Sequence, residues 1–118
     1  MSTETIWKPI PGHTNYEAST LGSIRVTTPK GLKQLRFGRN TSGHLTAPIK
    51  DDQGVTRKMY VHRLIALTFL GQPAQGQIVC HYDDNPANNA LSNLRWDSYR
   101  ANFVDMVRNR RFDHLLTQ

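Results

Sequence analysis

His81, Asn93 and Asn102 are the residues of this chain whose types and order could do chemistry together. A histidine near its ordinary pKa of about 6.5 can take a proton from water at neutral pH. Two amides offer neutral oxygens, either to a hard cation or to a hydrogen-bond network. One base and two such donors suit metal-assisted phosphodiester hydrolysis better than most chemistries. That reaction needs water deprotonated, charge on the phosphate oxygens neutralised, and a leaving 3′ oxygen stabilised.

The elements that must hold these side chains lie in residues 78–107. The apolar run Gln77-Ile78-Val79-Cys80 predicts a strand ending at His81, and Tyr82 to Ala90 is a loop rich in Asp, Asn and Pro. Asn93-Leu94-Arg95-Trp96 predicts the return strand, with Asp97 or Ser98 capping the next helix. On that helix Tyr99, Phe103 and Met106 fall at i, i+4 and i+7, which predicts a buried stripe with Asn102 on the same side. A satisfied core asparagine is the plainer account of Asn102 taken alone. Asp83, Asp84, Asn85, Asn88 and Asn89 are residues that order turns through side-chain to backbone bonds, so no metal role is assigned to them.

Upstream, Ile6 to Gly12 predicts an extended arm closing in a turn. Tyr16–Ser19 with Gly22–Val26 predicts a hairpin, and Lys33–Phe37, His44–Ile49 and Thr56–Val61 predict three more strands of a small antiparallel meander. In the first of those three, Lys33 shares a face with Leu35 and Phe37, an imperfect alternation. Leu64, Ile65, Leu67 and Leu70 repeat at helical spacing over His62–Leu70, where Gly71 and Pro73 stop a helix that braces the sheet. His62 at its start reads more simply as a surface or packing histidine than as a ligand. The division expected is a basic, β-rich module over residues 1–61 and a bracing helix, catalytic unit and basic tail over 62–118, together one compact domain.

A chain of 118 residues has room for a small core. Its longest apolar run, Leu64–Leu70, is far below the roughly 18 residues that span a bilayer, and Met-Ser-Thr-Glu-Thr lacks the pattern of a secretory signal, so a cytoplasmic location is expected. With Cys80 as the one cysteine, neither an internal disulfide nor a cysteine-rich structural zinc site can form. Lys and Arg number 15 against 9 Asp and Glu. Lys8, Arg25, Lys30, Lys33, Arg36, Arg39 and Lys50 face only Glu4 and Glu17 in the first 50 residues, which points to a polyanion and to nucleic acid before a membrane. Arg108, Arg110 and Arg111 form a second basic cluster, partly explained by the dipole of the helix they follow.

Val79-Cys80-His81, Asn93-Leu94-Arg95-Trp96 and Ala101-Asn102, with the Asp-Asn-Pro…Asn-Asn loop between them, resemble the HNH nuclease motif of phage and intron-type homing endonucleases. Val61–Ala66 with Phe69-Leu70 is similar to the helix that leads into that motif. Ile6–Gly12, Tyr16–Ser19 and Leu21–Arg25 resemble the short module often found ahead of it. The resemblance implies an α+β fold, a small antiparallel N-terminal sheet and helix followed by a ββα-metal (His-Me finger) unit. It also implies that His81 is the general base and a possible metal ligand, that Asn93 orients the His81 imidazole, and that Asn102 ligates the metal. Some relatives carry aspartate where Cys80 stands. A thiol is a poor partner for Mg²⁺, which implies a site completed by phosphate and water or one that prefers Mn²⁺, with Cys80 a small buried residue beneath it.

The function expected is a metal-dependent DNA endonuclease, a nickase as a monomer. Arg25, Lys30, Lys33, Arg36 and Arg39 would hold the phosphates of double-stranded DNA, with Arg95, Arg108, Arg110 and Arg111 nearer the scissile bond. The alternative is a DNA-binding accessory protein of a phage that keeps the fold without catalysis. An RNA substrate is disfavoured only weakly, by aromatics that look structural. Target sequence and oligomeric state are not written in the residue pattern.

Overall fold

Glycine- and proline-marked turns divide the first sixty residues into short strands, with a helix expected from His62; the helix begins one residue earlier, at Val61, which the last strand was expected to include. The computed structural model, which describes residues 5–108 apart from the side chain of Asp105, follows that division. Strands β1 (Trp7–Ile10), β2 (His13–Ser19), β3 (Ile24–Thr28) and β4 (Gly31–Gln34) form an antiparallel sheet in that order. The expected N-terminal arm is thus an edge strand, with Lys8 opposite Ala18 and the register shifting at Pro9 and Ile10. An edge is where a proline lacking its N–H is tolerated. Strand β4 stops at Gln34, short of the predicted Phe37. Leu35 and Phe37 turn in to pack on the core while Lys33 and Arg36 stay exposed, and Leu35 N still donates to Ile24 O of β3 at 2.8 Å.

A second antiparallel sheet contains β5 (Gly38–Arg39), β6 (Leu45–Lys50) and β7 (Thr56–Tyr60). Helix α1 (Val61–Leu70) follows β7 directly and ends at Gly71, whose φ of 77° suits a residue without Cβ. Its Val61, Leu64 and Ile65, at helical spacing, are fully buried. They join Ile10, Ala18 and Ile24 of the first sheet, Ala47 and Ile49 of the second, and Leu94 further on in one cluster. Helix α1 therefore braces both sheets against what comes next.

That last part is a two-stranded ribbon, β8 (Ile78–His81) and β9 (Leu94–Asp97), and a helix, α2 (Tyr99–Arg108). Trp96 Nε1 donates to Gly71 O at 2.9 Å, tying β9 to the end of α1. Ser98 caps α2, its Oγ accepting from Ala101 N at 3.1 Å. The predicted stripe on α2 is not buried, since Tyr99 is 71% and Phe103 57% exposed. Helical spacing identifies a shared face, but its burial depends on what packs opposite, and Tyr99 and Phe103 remain more than half exposed.

Candidate active site

His81 ends β8 opposite Leu94 and is 7% exposed. Its Nε2 lies 2.9 Å from Asn89 Oδ1, an oxygen that can only accept, so Nε2 carries the proton. In neutral His81 the bare lone pair is then on Nδ1, and this is the nitrogen available to take a proton. The asparagine holding the imidazole is Asn89, from the loop, and not Asn93 as the motif implied. Asn93 lies in a short 3-10 turn, Leu91–Asn93, ahead of β9 instead of within the strand. Its amide accepts from Asp83 N at 3.1 Å and donates to Asp83 Oδ1 at 2.8 Å and Asn88 O at 2.9 Å. Asn93 thereby fixes the loop, and the loop delivers Asn89.

The remaining loop bonds have the turn chemistry expected of it. Asp83 accepts from Asn85 N and from Asn88 Nδ2, both at 2.8 Å. Burial acts to raise the Asp83 pKa, but the bonds from Asn88, Asn85 and Asn93 outweigh it and hold the carboxyl below its ordinary range. Replacing Asn89 by alanine removes the acceptor that fixes the His81 ring. If the His81 imidazole acts as a base, turnover should fall about 10- to 100-fold, the cost of losing a side chain that orients a reacting histidine. Unchanged turnover in single-turnover cleavage would count against this role.

His81 faces a pocket of about 410 Å³ whose lining includes His44, His62, Asp84 and Asn102. His81 and Asn102, expected in one site, both line this pocket; the sequence reading gave His44 no role, gave Asp84 only that of a turn former, and set His62 aside. The three imidazoles cluster, with ring centroids 5.0 Å apart for His44 and His62, 5.3 Å for His62 and His81, and 6.3 Å for His44 and His81. The Ser42 hydroxyl lies 2.9 Å from both Asn40 Oδ1 and His44 Nδ1. Asn40 Oδ1 can only accept, so Ser42 donates to it and receives the His44 Nδ1 proton. Asp84 adopts a left-handed backbone, φ 60°, that few residues other than glycine, asparagine and aspartate accept. Its position in the pocket was detectable only as an Asp–Asn–Pro turn.

Burial first, then the nearby His81, His44 and Arg63, lowers the pKa of His62 from its ordinary 6.5 to about 3. The folded protein therefore carries fewer protons at His62 than the unfolded chain between those two values, and stability drops as pH falls through that interval. Thermal unfolding followed from pH 7 to 4.5 should show this loss, and it should lessen in His62→Gln. An unchanged slope in the variant would assign the loss elsewhere. Asp51, Asp83 and Asp97, with pKa values held below 3.8, give their own loss only at lower pH.

The donor set bears on a metal. Asn102 supplies an amide and Asp84 a carboxylate on the same pocket as His81, and oxygen donors of this kind suit a hard divalent cation. Among the described residues no group of three or more His, Cys, Asp or Glu side chains is arranged to hold a metal ion, so a bound cation would need amide, water or substrate oxygens as well. Cys80 is fully buried and does not line the pocket. Its Sγ lies 3.8 Å from Ile78 O and 3.9 Å from Ser98 O, within reach of weak S–H contacts to both carbonyls.

Two of the expected phosphate-binding arginines are engaged inside the fold. Arg25 pairs with Glu17 at 2.8 Å and stacks 4.1 Å from the Trp7 ring, and Arg95 pairs with Asp97 at 3.0 Å and stacks 4.4 Å from Tyr82. Each of the two guanidiniums therefore already has a carboxylate and an aromatic partner within the fold. Lys30, Lys33, Arg36 and Arg39 are exposed, and Arg108 donates to Tyr82 O at 2.8 Å. Arg110 and Arg111 lie outside the described residues.

Residues 59–103 match the HNH endonuclease family. Over 89% of its length the chain is 36% identical to an uncharacterized HNH endonuclease of Acanthamoeba polyphaga mimivirus, covering 31% of that protein. It is 35% identical over 86% of its length to the DNA endonuclease I-HmuI of Bacillus phage SP01, covering 57% of it. A solved structure concerned with DNA binding and cleavage by the HNH homing endonuclease I-HmuI superposes with a TM-score of 0.75 at 29% identity, over 87% of this chain and 58% of that one. The chain thus spans from about a third to somewhat over half of these relatives, and it shares its α+β architecture with the solved structure.

Proposed function

We propose that this chain, which belongs to the HNH endonuclease family through residues 59–103, is a metal-dependent DNA endonuclease whose general base is His81. The observation that carries the reading is the bond from His81 Nε2–H to Asn89 Oδ1, which turns the basic Nδ1 lone pair free of that anchor on a residue lining a pocket shared with Asn102 and Asp84. Water attacking a phosphodiester would give its proton to Nδ1. Asn102 and Asp84 would hold a divalent cation, Mg²⁺ or Mn²⁺, which when bound supplies positive charge for the phosphate and the leaving oxygen. Asn93 keeps the loop closed behind the base. Lys30, Lys33, Arg36 and Arg39 would position the DNA backbone, and the relative I-HmuI is itself described as binding and cleaving DNA. With one such unit, a monomer would cut one strand of double-stranded DNA.

Supercoiled plasmid incubated with purified protein and a panel of divalent ions tests this reading. Conversion to the open circle with Mg²⁺ or Mn²⁺, blocked by chelation and requiring a higher metal concentration in Asn102→Ala, is the expected outcome. Metal-independent DNA binding without any cleavage would instead identify a DNA-binding accessory protein.

A further inference from the structure

His62 is a pocket residue to which neither the motif nor the proposed chemistry gives a task. It stands in the first turn of α1, its ring centroid 5.3 Å from that of His81, on the wall shared with Asn102. Its Nδ1 is buried and has no hydrogen-bond partner among the described residues. The ring lines the pocket, which leaves Nε2 as the nitrogen a ligand can reach. A neutral imidazole carries one proton, and a buried orphan N–H is rarer than a buried orphan acceptor. The proton therefore belongs on Nε2, where it faces the pocket as a donor. Two neighbouring features favour an anion at the same place. Helix α1 has no side-chain N-cap at Tyr60 and no acidic residue in its first turn, so its N-terminal N–H groups and dipole are not offset locally, and Arg63 lines the pocket beside His62.

We infer that His62 is a further catalytic residue, donating from Nε2 to a non-bridging oxygen of the scissile phosphate while His81 activates water on the neighbouring wall. This rests on the endonuclease reading. The donor is fixed by helix α1 before substrate arrives, so it needs no rearrangement as charge develops on the phosphate, and such donors typically contribute about 10²- to 10³-fold in turnover. No bond to His62 forms or breaks, and its proton stays on Nε2 throughout.

The test compares wild type, His62→Ala and His62→Gln on a duplex that carries a phosphorothioate of defined configuration at the mapped nick, beside the all-oxygen duplex. The wild type should be slowed by sulfur at one diastereomer, by an effect that a softer metal ion does not relieve. His62→Ala should lose about 10²-fold in kcat with KM little changed, and should lose that sulfur effect, since the contact it reports is gone. His62→Gln, which keeps a neutral N–H donor, should recover part of both. A fall in kcat with the sulfur effect intact in both variants would make His62 merely structural and overturn the inference while the endonuclease reading stands. An unchanged kcat would overturn it equally. Absence of cleavage by the wild type with any divalent ion would overturn the reading and the inference together.

Discussion

His81→Ala should reduce plasmid nicking by about 10²- to 10⁴-fold, the span ascribed to a positioned general base, while binding to the same DNA persists. The argument is geometric. Neutral His81 has one acceptor nitrogen, because Asn89 Oδ1 claims the proton on the other. Alanine removes the acceptor and leaves Asn89 Oδ1 buried without its donor, a penalty of about 1–3 kcal/mol that a stable fold can carry. A gel-shift assay at fixed salt separates the two outcomes. Lost cleavage with retained binding supports the base, whereas cleavage within a few-fold of wild type would require another residue to take the proton.

How this site could be anticipated differs from residue to residue. The strand end that carries His81 and the helix that carries Asn102 were legible because both are set by short-range spacing, whereas the pairing of the two residues in one site came from the resemblance to the HNH motif. The α+β order, the bracing helix and the turn character of Asp83 to Asn89 followed from the same kind of signal. Asn89 was not legible as the partner of His81, since any of five polar loop residues has the chemistry and only the fold selects one. His44 was invisible for a different reason. It approaches His81 from the turn before β6, and nothing local to Ser42-Gly43-His44 encodes a contact across 37 positions of chain. The stripe on α2 failed for the converse reason. Tyr99 and Phe103 have the right spacing, but burial is decided by what packs opposite. Arg25 and Arg95 show the same limit for charge, because net charge counts cations without telling which ones stack on Trp7 or Tyr82 inside the fold.

Gly22→Ala, far from the base in sequence, should impair both stability and cleavage. Gly22 sits in the turn between β2 and β3 with φ 90°, and a Cβ built there would lie 2.8 Å from both the carbonyl carbon and oxygen of Asn89 and 3.2 Å from Ala90 N. Those are backbone atoms, which cannot swing aside as the end of a side chain can. The turn is also bonded to the loop next door, where Leu91 N donates to Thr20 O at 2.9 Å. Left-handed strain together with overpacking should cost on the order of 2–4 kcal/mol. The atoms that must yield belong to the residue that orients His81, so turnover should fall even at temperatures where the variant is folded. Gly12→Ala provides the comparison, since Gly12 has a similar φ of 77° but nothing within 4 Å of its Cβ position. If strain alone mattered, both variants would lose stability alike and keep normal turnover once folded. If the N-terminal sheet presses Asn89 onto His81, only Gly22→Ala loses turnover below its unfolding transition, which would make the first sheet part of the machinery that sets the base.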